Sequence, residues 1–206
     1  MEIYSTEEQQ VEAIKTFWKD YGTSILAGAV IGLGALYGWN WYSDHQVKQA
    51  EVASQAFNDV MSKVDDAQAL SAAAAEYEKA HSQQGYSALL QLVVAKTAVE
   101  AGDLAKAEAA LKSVLTTKPG EAIEMIAAMR LARVQAEQGQ VDSALATLES
   151  VKSEAFAADA AELKGDFLVR KGDLANARAA YQDAVAKGGV TNSPALQVKL
   201  DNLPQA

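Results

Sequence analysis

The 206-residue chain contains no cysteine, only three prolines and only two histidines. Without cysteine it can form neither a disulfide framework nor a thiolate metal site, an absence that is compatible with any cellular compartment. His45 and His81 have no plausible nucleophile near them in the sequence, and an isolated histidine is far more often structural or solvated than catalytic. No HExxH, GxSxG, phosphate-binding loop or dinucleotide fingerprint occurs. The sequence therefore predicts a protein that is not an enzyme and that uses no cofactor and no metal.

Positive charge is also scarce, because the formal net charge is −9. Residues 1–44 hold six acidic residues and two lysines, which leaves a net charge of −5 for the remainder. A mildly acidic domain without a basic stripe is a poor candidate for binding nucleic acid or anionic lipid. We expect no nucleic-acid partner.

One long apolar segment, Tyr21–Ser43, has no charged side chain in 23 residues. As a helix it would reach about 34 Å, enough to cross a hydrocarbon core of about 30 Å. The alternatives are a cleaved signal peptide and a buried core helix. A signal sequence has an apolar region of only about 7–15 residues, whereas this segment ends in the aromatic residues Trp39, Trp41 and Tyr42. A core helix would show a polar face. The segment therefore predicts a transmembrane helix over residues 21–43, with a short tail at 1–20 and an aqueous domain at 44–206.

The tail gives a weak indication of orientation. Lys15 and Lys19 precede the span, which slightly favours a cytoplasmic N-terminus. The apolar residues Val11, Ile14, Phe17 and Trp18 recur at helical spacing and predict an amphipathic helix on the membrane surface.

Glycines form two GxxxG pairs in the span. Gly28 pairs with Gly32, and Gly34 pairs with Gly38, so two close-approach surfaces are available to another helix. The competing interpretation is that glycine is common in membrane helices in general. In either case the span carries no charge, and nothing in it indicates a pore.

The remainder of the chain contains three stretches that share residues at fixed offsets. Their turns are Gly102-Asp103-Leu104, Gly139-Gln140-Val141 and Gly172-Asp173-Leu174. A small residue lies seven positions before each glycine: Ala95, Ala132 and Gly165. Alanine follows five positions after it, at Ala107, Ala144 and Ala177, and a large residue nine after it, at Leu111, Leu148 and Tyr181.

These offsets predict a repeated helical hairpin. The glycine would supply the left-handed conformation that ends the first helix, and the small residues would let the two helices approach closely. Pro119 should end the second helix of the first repeat. Val52–Val64 and Ala69–His81 predict a further helical pair upstream, and Ser193–Leu203 a terminal helix that covers the last repeat.

A period near 34 residues resembles the tetratricopeptide repeat, although most of its first-helix aromatic positions are missing. The fold class predicted is therefore all-α, with one N-terminal transmembrane helix followed by a tetratricopeptide-like α-solenoid. An ordinary all-α domain is the alternative.

Solenoids present their first helices on a concave surface, so we expect a protein-binding groove there. The stripe of residues predicted to be exposed in it, called the predicted stripe below, is Leu89, Leu92, Lys96, Val99, Ile126, Met129, Arg133, Glu137, Asp159, Glu162, Asp166 and Arg170. The stripe changes from apolar and basic to acidic, and it could hold an extended polypeptide. A solvated or partly buried helix face explains the same residues equally well.

Short motifs in order along nearly the whole chain resemble the YfgM family. They are Met1-Glu2-Ile3-Tyr4, Val11-Glu12-Ala13-Ile14-Lys15, Gly34-Ala35-Leu36-Tyr37-Gly38-Trp39, His45-Gln46-Val47, Leu131-Ala132-Arg133-Val134-Gln135 and Lys171-Gly172-Asp173. The resemblance implies an ancillary subunit of the bacterial SecYEG translocon, held in the inner membrane with a cytoplasmic N-terminus and a periplasmic repeat domain. It also implies the chaperone PpiD and exported polypeptides as partners, with the polypeptides passed on to periplasmic chaperones. The alternatives are a regulatory adaptor or a scaffold, for example in envelope stress signalling.

Overall fold

The structure is a computed structural model that describes residues 7–81 and 83–204. The predicted tail begins at residues 1–6, which lie outside this range. The described residues form α-helices and one short 3₁₀ helix, Glu154–Phe156, and no strand, which confirms the predicted all-α class. The α-helices are α1 Glu7–Met61, α2 Ala67–Ala80, α3 Gln84–Glu100, α4 Leu104–Thr117, α5 Glu121–Glu137, α6 Val141–Leu148, α7 Ala157–Lys171, α8 Leu174–Ala186, α9 Gly189–Asn192 and α10 Ala195–Asp201.

The chain divides into two compact units, Met1–Val52 and Ala53–Ala206. Within the first unit the described residues belong to α1, which from Gln10 to Met61 is long and apolar enough to cross a membrane. Its large side chains are exposed, including Val30 at 70% and Trp39 at 72%. This exposure contradicts a buried core helix and agrees with a candidate membrane span.

α1 is longer than predicted at both ends. The amphipathic helix expected near residues 11–18 is part of α1, which continues through Gly22, and the Trp18 ring lies close to that glycine. The helix expected at Val52–Val64 is likewise wrong as a separate element, since α1 continues to Met61. Residues 44–61 contain neither glycine nor proline, so nothing in them ends a helix.

The predicted helical hairpins are present as α3/α4, α5/α6 and α7/α8. Gly102, Gly139 and Gly172 lie between their helices with φ of +77°, +81° and +84°. In each turn the residue after the glycine donates its N–H to a carbonyl five residues earlier, for example Asp103 to Ala98 at 2.8 Å. This bond and the one donated by the glycine N–H form a Schellman motif, which closes each first helix.

Small residues allow close packing inside each hairpin, as the offsets predicted. The three alanines that follow the turns, Ala107, Ala144 and Ala177, are fully buried. In the third repeat the large residue is Tyr181 instead of leucine, and it faces Gly165. A Cβ at Gly165 would lie 2.3 Å from the Tyr181 ring, so the missing methyl group makes room for the larger side chain.

The second unit contains three buried clusters. The first combines the end of α1 with α2, α3, α4 and one face of α5, and the third combines the opposite face of α5 with α6 and α7. The second cluster joins α7, α8 and the C-terminal segment. α5 therefore contributes Ala127 and Leu131 to one cluster and Met129 and Ala132 to another.

Both ends of the repeats are covered. At the N-terminal end the Tyr77 hydroxyl donates to the Ala53 carbonyl at 3.2 Å, and the rings of Phe57 and Tyr86 lie 5.1 Å apart. At the C-terminal end Leu196 of α10 is fully buried against the last repeat, which confirms the predicted terminal helix. The second helices are unequal, because α6 has 8 residues whereas α4 has 14.

Candidate protein-binding surface

The first helices α3, α5 and α7 carry the predicted stripe, and together they form what we call the first-helix face. Leu89 and Val99 are 40% and 44% exposed, and Lys96, Arg133, Glu137 and Arg170 are also exposed. Ile126, Asp159, Glu162 and Asp166 are partly buried.

Two members of the predicted stripe are not exposed. Leu92 is 9% exposed and packs in the first cluster, and Met129 is 7% exposed and packs in the third. Because the middle helices of the array are buried on two sides, only a narrow part of each faces solvent. The prediction that these two side chains are exposed in the groove is therefore wrong.

An apolar cavity of about 270 Å³ opens between α3 and α5. Its lining includes Leu92, Val99 and Leu111, so Leu92 contributes a wall although it is mostly buried. Lys96 and Arg130 also line it. Arg130 is absent from the predicted stripe, although it lies three residues before Arg133 and therefore on the same helix face.

A polar cavity of about 450 Å³ lies farther along the same face. It brings together four members of the predicted stripe: Arg133, Asp159, Glu162 and Asp166. The C-terminal segment adds Asn192, Ser193 and Lys199, which the sequence analysis did not assign to the surface.

Lys199 neutralises much of the acid in the polar cavity. Its ammonium group lies 2.8 Å from carboxylate oxygens of both Glu162 and Asp166. Partial burial lowers the pKa of Lys199, but the hydrogen bonds and charges of Asp166 and Glu162 outweigh that effect, so the pKa lies above its ordinary value. The Ser193 hydroxyl donates to Glu162 at 2.9 Å. These contacts hold the C-terminal segment against α7.

Tyr181 joins the same network from α8. Its hydroxyl donates to Asp166 at 2.7 Å. Burial, and then the hydrogen bond and charge of Asp166, raises the pKa of the Tyr181 phenol above its ordinary range. Asp166 therefore serves two partners and is not a free carboxylate.

Glu137 and Arg170, two further members of the predicted stripe, bind each other across neighbouring repeats. The guanidinium donates to both carboxylate oxygens at 2.9 and 3.4 Å. This bond and the positive charge of Arg170 lower the pKa of Glu137. The pair lies outside both cavities and connects α5 to α7.

The four span glycines lie on α1. A Cβ added at Gly28, Gly32, Gly34 or Gly38 would meet no atom within 4 Å, so these faces are open. Contact with another helix stays a prediction.

In the searched part of the chain, residues 7–81 and 83–204, no group of three or more metal-binding side chains is placed to hold an ion.

Comparison with known proteins agrees with the repeats and extends over nearly the whole chain. The profile of the tetratricopeptide repeat-like domain family matches residues 15–205. The chain is 39% identical to the ancillary SecYEG translocon subunit of Escherichia coli K12, over 98% of this chain and 99% of that protein. It is 36% identical to the protein of the same name from Haemophilus influenzae, over 96% and 97%, and 34% identical to that from Aggregatibacter actinomycetemcomitans, over the same shares. With its paired helices and its apolar N-terminal helix, the chain belongs to the YfgM family of ancillary SecYEG translocon subunits, whose members carry a tetratricopeptide repeat-like domain.

Proposed function

We propose that this protein is a non-enzymatic inner-membrane subunit that associates with the Sec translocon and binds exported polypeptides on its first-helix face. It then helps to pass them to periplasmic chaperones, with PpiD as a partner. The observation that carries the proposal is the full-length similarity to relatives named ancillary SecYEG translocon subunits.

The geometry of the first-helix face supports a binding role. Its apolar cavity can accept an apolar side chain, and its polar cavity offers hydrogen-bonding groups to a backbone. Both cavities lie on consecutive first helices, as binding to an extended segment requires. The same face offers no arrangement of nucleophile and base within the described residues that would alter a bound chain.

The apolar part of α1 would anchor the protein in the inner membrane. In this arrangement the N-terminus is cytoplasmic, residues 21–43 span the membrane and the repeats are periplasmic. Tethering at the translocon raises the effective concentration of even a weak binding surface for chains that emerge there.

Site-specific photocrosslinking in inner membranes that hold stalled exported chains tests the proposal. A photoreactive residue at Val99, which is exposed in the apolar cavity, should capture many different exported polypeptides. The matched control is Lys112, an exposed residue on the second helix α4, which should capture few. Capture of one folded neighbour from Val99 would instead indicate a scaffold or a regulatory adaptor.

Two further measurements test topology and the site of translocon recognition. Protease added to spheroplasts should digest the repeats, and their survival would contradict the periplasmic location. Affinity isolation in mild detergent should compare the full chain with residues 44–206. The shortened chain keeps Ala53–Met61, which pack against the repeats, so loss of partners would place recognition in the removed segment.

A further inference from the structure

The four arginines of the chain differ in whether their guanidinium groups have hydrogen-bond or ion-pair partners. Arg170 binds Glu137, and Arg178 donates to the carbonyl oxygens of Leu203 and Pro204. Arg130 and Arg133 are exposed on α5, and neither takes part in an ion pair or side-chain hydrogen bond within residues 7–81 and 83–204. Two guanidinium groups are therefore available to a partner on the first-helix face.

Three of the four carboxylates that line the two cavities have ion-pair partners among the described residues, and the fourth, Asp159, lies in the polar cavity with Arg133. Glu100 at the apolar cavity binds Lys96 of its own helix at 3.5 Å. Glu162 and Asp166 share Lys199. The one carboxylate that lines the apolar cavity, Glu100, is therefore paired with Lys96, and the Arg130 guanidinium there remains open to a partner. The polar cavity, in contrast, still holds Asp159, an acid that is unpaired in the described part of the chain, beside Arg133.

Arg130 lines the apolar cavity itself, beside Leu92 and Val99. Resting on the proposed function, we propose that this cavity selects segments in which an Asp or Glu side chain lies two residues from a large apolar side chain. The apolar side chain enters the cavity between α3 and α5, and the neighbouring carboxylate accepts hydrogen bonds from the Arg130 guanidinium.

Charge and geometry both favour this occupant. A guanidinium can donate two parallel hydrogen bonds to one carboxylate, which a neutral amide cannot reproduce. In an extended chain, side chains two residues apart lie on the same face and are separated by about 7 Å, so a single segment can reach both the cavity and its rim. Arg133, one turn along the same face, adds attraction for acidic segments and repels basic ones.

The test uses the full chain in uncharged detergent micelles and three fluorescent peptides of one length, amidated at the C-terminus. They differ in the residue two positions after a central leucine, which is Asp, Asn or Lys. By fluorescence anisotropy the Asp peptide should bind about fivefold more tightly than the Asn peptide, and the Lys peptide most weakly. Raising the salt concentration should reduce this preference.

Variants locate the effect. Arg130→Gln should abolish the preference for Asp over Asn, whereas Lys164→Gln, which removes an exposed cation from a different cavity, should retain it. Val99→Gln should weaken binding of all three peptides, because it places a polar group in the apolar cavity. Unchanged circular dichroism would show that each variant is folded.

Equal binding of the Asp and Asn peptides, or an unchanged preference in Arg130→Gln, would overturn the proposal and leave the proposed function standing. A fourth peptide, the Asn peptide with a free C-terminal carboxylate, tests chain-end recognition, and tight binding of this peptide alone would overturn the proposal. Failure of every peptide to bind the unaltered chain would count against this surface as a polypeptide site, and with it against the proposed function.

Discussion

Replacing Gly165 with alanine should destabilise the third repeat, because the added Cβ would lie 2.3 Å from two ring carbons of Tyr181. Restoring an ordinary carbon contact of about 3.5 Å requires the ring to move by about 1 Å. The ring has little freedom to do so, since Tyr181 is 3% exposed and its hydroxyl is bonded to Asp166 at 2.7 Å.

The size of the effect follows from three contributions. Overpacking costs about 1–3 kcal/mol, and loss of the Tyr181 hydrogen bond costs about 1 kcal/mol more. Alanine is preferred over glycine inside a helix by about 1 kcal/mol, which offsets part of this. We therefore expect the free energy of unfolding to fall by about 1–3 kcal/mol in Gly165→Ala.

The other two repeats indicate a second substitution that should restore the stability lost in Gly165→Ala. They pair alanine with leucine where the third pairs Gly165 with Tyr181, so the double variant Gly165→Ala, Tyr181→Leu recreates their combination. It should be more stable than the sum of the two single changes predicts, by about 2 kcal/mol.

Urea unfolding of the full chain in micelles, followed by far-ultraviolet circular dichroism, measures these differences. Tryptophan fluorescence would not report on the repeats, because all three tryptophans are in α1. Gly85→Ala is the control, since a Cβ there meets no atom within 4 Å, and it should be neutral or slightly stabilising. If the two changes at Gly165 and Tyr181 prove additive within about 0.5 kcal/mol, the packing argument is wrong.

Three further predictions concern the turns, the C-terminal network and the hairpin interior. Gly139→Ala should cost about 1–2 kcal/mol in urea unfolding because its φ of +81° strains any side chain, and a cost no larger than that of Gly85→Ala would contradict the turn assignment. Since the pKa values of Tyr181 and Lys199 are raised in the folded chain, their stabilisation is complete below about pH 10 and is lost as the pH rises further. Tyr181→Phe should therefore flatten the alkaline decline in unfolding free energy, and an unchanged slope would refute the linkage. Ala144→Leu should cost about 1–3 kcal/mol by forcing α5 and α6 apart, and it should weaken peptide binding in the anisotropy assay; full stability would contradict the close approach.

The repeat turns could be predicted from the sequence because their requirements are local. A helix that reverses direction needs a residue with positive φ, and Gly102 and its counterparts supply it at fixed distances from buried alanines. The same offsets anticipated Ala107 and Ala144 at the centre of each hairpin. Each copy of the repeat therefore contains, within its own local sequence, the residues that specify its turn and its close helix packing.

Features set by distant contacts could not be predicted in the same way. The membership of residues 53–61 in the first buried cluster depends on contacts of Ala53 and Val60 with later helices. Lys199 lies 37 residues after Glu162 in the sequence. The charge pattern alone could therefore not show that Lys199 neutralises the Glu162 carboxylate. Leu92 is a wall of the apolar cavity and not an exposed residue, because the other members of the first cluster pack against it.

The two-sided burial of α5 determines how the array can open. Ala127 and Leu131 belong to one cluster, whereas Met129 and Ala132 belong to another, so separation of either neighbour uncovers only one side of the helix. Amide hydrogens of α5 should consequently exchange with solvent more slowly than those of α8, α9 and α10, which can detach as a unit without disturbing the first cluster. Limited proteolysis would then remove the C-terminal end first and leave a resistant fragment that still contains Arg130.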